Sequence, residues 1–203
     1  MLDRLLARLY DPLLAGAERR GLGAVRADLL RGVSGTVLVV GAGTGADLPH
    51  LPDAVDRLVL VEPSGPMREQ LTAAIPPRLQ PVTEVVHGFA EDLPLGTDEV
   101  DHAVVSLVLC SVRDPEAAVD DLDRVVRPGG TVRVLEHGAT SHPVGSRVQQ
   151  VANPVWRTLA GGCNLDRDPV ALLGRRFDTS DLHPATVPAV SRIGRVTVGT
   201  AGR

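Results

Sequence analysis

The residues that could do chemistry begin at one junction, where Val37-Leu38-Val39-Val40 runs into Gly41-Ala42-Gly43-Thr44-Gly45-Ala46-Asp47. Glycines let the main chain turn sharply and let a ligand come close to its N–H groups. The start of a following helix adds a partial positive charge. Three uses fit this spacing. GxGxG through Gly41, Gly43 and Gly45 suits S-adenosylmethionine, with the backbone meeting the amino-acid end and the ribose. GxGxxA through Gly41, Gly43 and Ala46 is a nicotinamide or flavin pattern. The third use is a turn that joins strand to helix and binds nothing. Glu62, seventeen residues past Gly45 at the end of a second apolar run, argues against the third, because one carboxylate can accept from both ribose hydroxyls. The loop Gly88-Phe89-Ala90-Glu91-Asp92-Leu93-Pro94 can lie along a purine edge or be an ordinary acidic turn.

A second set of residues could act on a substrate. His137 ends an apolar run, and imidazole titrates near working pH, so it is the leading candidate for a general base; a structural strand-end histidine is the alternative. Cys163 can line an acceptor pocket or be an inert buried thiol. Asn164 can orient a substrate or cap a turn, Trp156 can roof the pocket or pack against the sheet, and Cys110 reads as core. The two cysteines lie far apart in sequence with no CxxC, so neither a disulfide framework nor a metal-ligand cluster is expected, and no metal. That usage fits a reducing cytoplasm.

These residues need strands and helices to hold them. Apolar β-branched runs at 36–40, 57–61, 82–87, 103–109 and 131–136 read as buried strands. Helical patterns fall at 15–30, 64–75 and 115–126, with a short helix reaching about Leu51. Pro115 opens the third of these patterns and Pro128-Gly129-Gly130 stops it. The alternation calls for a parallel sheet covered by helices on both faces, with right-handed crossovers. Residues 194–199 read as an edge strand, and residues 138–175 break the alternation as an insertion over the strand ends. Leu2, Leu5, Leu6, Leu9, Leu13 and Leu14 make an apolar helical stripe ended or kinked by Pro12. With only Arg4 and Arg8 as cations beside Asp3, it reads as a lid or core helix and not as a membrane-surface helix.

The composition excludes several classes. A net charge of −4 and 2% aromatic residues provide neither a phosphate-tracking surface nor a base-stacking platform, so no nucleic-acid partner is expected. All 21 basic residues are Arg, which removes Lys as a catalytic group and with it the Tyr-x-x-x-Lys pair of a dinucleotide oxidoreductase. No stretch of 18 uninterrupted apolar residues and no secretory h-region is present, so a soluble cytoplasmic protein is expected.

Taken in order, Gly41–Gly45, Glu62-Pro63, Ala90–Pro94, Asp101 and Arg127–Gly130 resemble the class I S-adenosylmethionine-dependent methyltransferases of the type 11 group, over roughly residues 10–136. Further on, Ser106–Val112, Glu136-His137, Gln149-Gln150, Asn153–Trp156 and Gly161–Leu165 are similar to the thiol S-methyltransferase branch, itself similar to small bacterial lipid and quinone methyltransferases. The resemblance implies a single-domain, doubly wound, mostly parallel seven-stranded α/β sheet with a helical lid at 1–30, the methyltransferase domain at 31–203 and the substrate-side insertion at 138–175. It implies S-adenosylmethionine as cofactor, held by Tyr10, Gly41, Ala42, Gly43, Thr44, Gly45, Glu62, Pro63, Met67, Phe89, Ala90, Glu91, Ser106 and Leu107. His137, Cys163 and Asn164 then face a small-molecule acceptor, a thiol first, with N-, O- or C-methylation of a lipid, quinone or secondary metabolite as the alternative. Phe89 stands where many type 11 enzymes carry an Asp for the adenine amine, which leaves that contact to the backbone or to Glu91, or to stacking by Phe89.

Overall fold

The computed structural model describes residues 15–139, 147, 149, 151–154, 162–187, 191 and 195–203. Tyr10, the leucine stripe at 2–14 and Trp156 lie outside them. Seven strands form one sheet in the order β3-β2-β1-β4-β5-β7-β6. They are β1 (Gly35–Val40), β2 (Val55–Val61), β3 (Thr83–Val86), β4 (Val100–Ser106), β5 (Val126–Gly138), β6 (His183–Ala185) and β7 (Arg195–Gly202). The first five run parallel to one another, and β7 is antiparallel to both β5 and β6.

The β-branched runs of β1, β2, β4 and β5 form central strands because both faces are covered, whereas β3 lies at the edge and is partly exposed. Val37 and Val39 point to a cluster with Leu58, Leu60 and Leu71, and Leu38 and Val40 point to the opposite cluster with Val59, Val105, Val119 and Leu122. Helix α1 (Gly23–Leu29), α2 (Gly65–Ala74), α3 (Pro115–Val125) and α4 (Pro169–Leu173) cover these faces. In α3, Ala118, Val119, Leu122 and Val125 are all buried, each of the larger ones contributing about 1.5–3 kcal/mol. Asp114 caps α3 by accepting from the N–H of Glu116 and Ala117 at 3.1 Å, ahead of Pro115. The same Asp-Pro start opens α4, where Asp168 caps Val170 and Ala171, inside the stretch that the alternation left unassigned. Before α1, residues 18–22 form a π-turn interrupted at Arg20 and Gly21, whose φ is 125°. Ala17, Leu22 and Leu29 nevertheless pack with Leu135, Val187 and Val196.

Three expectations need correction. Strand β4 ends at Ser106, not Leu109, because Leu107 takes a φ of 60° and turns the chain away. The helix expected up to Leu51 is a single 3-10 turn, Leu48–His50, cut short by Pro49 and Pro52. β7 is not an edge; β6 pairs outside it, and Pro184 suits that outer strand because it has no N–H to donate. Among the described residues no helix is long and apolar enough to cross a membrane.

Candidate functional site

Register brings the expected residues together. Val86, Val61, Val40, Val105 and Val134 form one row across five strands, so the residues that follow them, from Glu62 and Gly41 to Ser106, emerge at a common carboxyl edge. Open α/β sheets bind their ligands at such an edge.

At the centre of that edge is the glycine turn. Gly41 and Gly43 have φ of 59° and 57°, which disfavours any residue with a Cβ. A Cβ on Gly41 would also come within 2.8 Å of Val108, whereas one on Gly43 would meet nothing nearer than 4.0 Å. Gly41 is therefore demanded by packing as well as by its φ, and Gly43 by its φ alone, with its Cβ side open. The Glu62 carboxylate, 5% exposed, accepts from the Gly43 N–H and the Ser64 N–H at 2.8 Å each. It ties the turn after β1 to the start of α2. Ala42 and Thr44 are buried in the turn, Pro63 is exposed, and Met67 is half-buried in the first turn of α2.

Beyond β3, Phe89 is 44% exposed. The Arg113 guanidinium lies 5.8 Å over its ring, and His87 meets it edge-on at 5.7 Å. Ala90 is buried. Glu91 accepts from the N–H of Arg113 at 2.8 Å and of Asp114 at 3.2 Å, so it also anchors the loop that starts α3. Asp101 binds the Thr36 N–H at 2.7 Å and pairs with Arg127; it locks the strands together at the opposite edge of the sheet and is not part of the site.

On the β4–β5 side, Leu107 donates its N–H to Leu135 at 2.7 Å. The following turn wraps the wholly buried Glu136 carboxylate, which accepts from Val108 at 2.6 Å and Leu109 at 2.8 Å. Burial pushes the Glu136 pKa up to about 7 against those hydrogen bonds. Cys110 follows in the same turn, and its carbonyl takes both the main-chain N–H of Asn164 at 2.7 Å and its side-chain amide at 3.0 Å. Asn164 thereby clips the 162–165 turn onto Cys110. Asn153 holds the other side through Leu165 and Asp166, both at 2.9 Å, and Arg167 reaches Leu109.

Through this clip the two cysteines, fifty-three residues apart in sequence, come to the same place. Cys110, His137 and Cys163, all buried, bring their ligand atoms within 4.8 Å of one another, and His137 Nε2 is 2.9 Å from Cys163 Sγ. Hydrogen bonding with Cys163, together with burial, holds the Cys110 thiol protonated well above its ordinary range. Burial opposes the His137 imidazolium, but the Cys163 sulfur and Glu136 outweigh it, so the His137 pKa is raised.

One part of the site carries no sequence signal. Arg26, 3% exposed, reaches from α1 to Asp47 at 2.7 Å, to the Ser106 hydroxyl at 2.5 Å and to Glu18 at 3.2 Å. It pins the N-terminal helix to the end of the glycine turn and to the tip of β4. A lone Arg in a helical pattern looks like any solvated one, and nothing local marks it.

A methyltransferase domain family matches residues 38–134. The thiol S-methyltransferase TMT1B of Rattus norvegicus is 30% identical over 83% of this chain and 69% of its own length. Its Homo sapiens counterpart is 35% identical over 68% of this chain and 59% of its own length. In fold, an S-adenosylmethionine-dependent methyltransferase of Thermotoga maritima superposes with a TM-score of 0.69 at 18% identity, covering 98% of this chain and 96% of that one.

Proposed function

Because this chain belongs to the S-adenosylmethionine-dependent methyltransferases of the type 11 group, we propose that it transfers a methyl group to the sulfur of a small thiol. The family sets aside the dinucleotide oxidoreductase alternative. The thiol reading is supported by the similarity to thiol S-methyltransferases and by the sulfur-nitrogen cluster at the β4–β5 edge.

The cofactor fits the residues present, and one observation carries that fit: the buried Glu62 carboxylate closes on the Gly43 N–H beside a glycine whose Cβ side is open. In this reading the main chain of Gly41, Ala42, Gly43, Thr44 and Gly45 takes the amino-acid end. Glu62, flanked by Pro63 and Met67, accepts from the ribose hydroxyls. Phe89, Ala90 and Glu91 border the purine; Phe89 offers the ring surface that Arg113 leaves open. Ser106 and Leu107 floor the methyl-bearing end. When bound, S-adenosylmethionine supplies a methyl group already activated by a sulfonium charge.

The acceptor thiol gives up its proton first, because the thiolate is the nucleophile. The acceptor sulfur would supply the electron pair for the new bond to carbon, and the thioether left behind would keep the pair of the bond that breaks. The protein's part is to align those atoms, which can lower the barrier by several kcal/mol. The β4–β5 edge and the 162–165 turn form the acceptor side. Asn164 positions the turn that carries Cys163. His137, whose Nε2 is engaged by Cys163, acts as a member of that cluster and not as a lone base. Both cysteines stay reduced in a cytoplasmic setting.

The test is incubation of the protein with S-adenosylmethionine and a short alkyl thiol, with mass-spectrometric detection of products. The methyl thioether and S-adenosylhomocysteine are expected in equal amounts, and the alcohol and amine of the same carbon skeleton stay unmethylated. Methylation of the alcohol or amine with an untouched thiol would refute the thiol reading and leave the family intact.

A further inference from the structure

We propose that Cys110, His137 and Cys163 form a binding site for a soft divalent cation, zinc above all, whose fourth coordination position takes the acceptor thiolate. The three-ligand site stands on the geometry alone. The assignment of the fourth position rests on the thiol reading above.

Three separate elements supply the donors: the turn after β4, the end of β5 and the 162–165 turn. Their ligand atoms lie within 4.8 Å of one another. Tetrahedral zinc, with bonds of about 2.3 Å to sulfur and about 2.0–2.1 Å to nitrogen, sets its ligand atoms roughly 3.5–3.8 Å apart. The His137 Nε2 to Cys163 Sγ distance of 2.9 Å would open by roughly half an ångström to admit the ion. Two sulfurs and one imidazole are soft or borderline donors, which suit zinc and not magnesium or calcium.

Charge points the same way. All three side chains are at least nine-tenths buried, with exposures of 2% for Cys110 and 6% each for His137 and Cys163. An isolated buried charge is costly. Two thiolates, a neutral imidazole and a divalent cation sum to zero, and the two thiol protons leave to solvent on binding. The scaffold holds the ligands before any ion arrives: Asn164 fixes the Cys110 carbonyl twice, and Glu136 fixes the two residues before Cys110.

Among the described residues the cluster offers three ligand side chains, one short of a closed structural zinc site. Three protein ligands with one open position is the arrangement of catalytic zinc. Cys110 and His137 follow β4 and end β5 at the carboxyl edge, where the acceptor is proposed to enter. A thiol that coordinates there loses its proton to solvent and is held as thiolate at neutral pH.

The experiment is titration of the full chain, stripped with a chelator and kept reduced, with cobalt(II) as a spectroscopic stand-in for zinc, followed by zinc in competition. One equivalent of cobalt is expected to bind, with sulfur-to-cobalt charge-transfer bands and tetrahedral d–d bands, and zinc should displace it. Cys163→Ser and His137→Gln are expected to weaken binding by about 100-fold or more, in line with loss of a ligand. Circular dichroism and retained S-adenosylhomocysteine binding confirm that these variants are folded. Addition of the alkyl thiol is expected to shift the d–d bands of the wild-type protein. Failure of the wild type to bind the metal, or binding that survives both substitutions, overturns the site. Bands indifferent to the thiol overturn the fourth-position assignment. Thiol methylation by the stripped protein at full rate overturns a catalytic role for the ion while upholding the thiol reading itself.

Discussion

The two halves of the carboxyl edge are built in opposite ways. On the β1–β2 side, the proposed working groups are main-chain N–H groups in a glycine turn, fixed by one carboxylate nineteen residues away from Gly43. On the β4–β5 side, they are side chains from residues 110, 137 and 163, drawn together by an asparagine clip. Backbone binding sets only general requirements, a turn and a close approach. Side-chain clusters depend on exact tertiary placement. The first construction suits a common cofactor, and the second suits an acceptor that differs from enzyme to enzyme.

Substitutions can separate the halves or join them. The largest effect is expected from Arg26→Ala, because Arg26 touches both. It leaves Asp47 buried without its cation, which costs about 3–5 kcal/mol; thermal melting should show the loss, and both cofactor affinity and turnover should fall. A folded variant with unchanged affinity would mean that the halves are uncoupled. Glu62→Ala acts on one half only. Loss of the two proposed hydrogen bonds from the ribose hydroxyls, each about 1.5–3 kcal/mol, lowers affinity for S-adenosylhomocysteine by roughly 100-fold or more, measured by calorimetry, while the fold is kept. Asn164→Ala acts on the other half: stability falls by about 1–2 kcal/mol and turnover drops, with cofactor affinity unchanged. Any comparable loss of cofactor affinity would contradict the separation. Arg57→Ala touches neither half. Its exposed pairs with Glu84 and Glu99 are worth less than about 1 kcal/mol, so binding and turnover should match the wild type.

What could be read in the sequence follows the same division. The glycine turn and Glu62 are contiguous or strand-end features, so their spacing carried the cofactor side. Pro115 marks the start of α3 equally plainly. Pro169 stands in the same place in α4, but the polar stretch around it hides that helix. β4 ran three residues short because Leu107 adopts a left-handed conformation that its type does not announce. Cys110 read as core because its neighbours are apolar; only the Asn164 clip, fifty-four residues away, shows that it meets His137 and Cys163. Arg26 was invisible for the same reason, since its partner Ser106 is eighty residues distant. Local turn chemistry is written in neighbouring residues, and tertiary side-chain clusters are not.

The central claim is tested most directly by calorimetric titration of the purified protein with S-adenosylmethionine, S-adenosylhomocysteine and NADH. Binding of the first two at one equivalent per chain, with no heat from NADH, is the predicted result. Binding of NADH with no response to the other two would contradict the assignment of the glycine turn and of everything built on it.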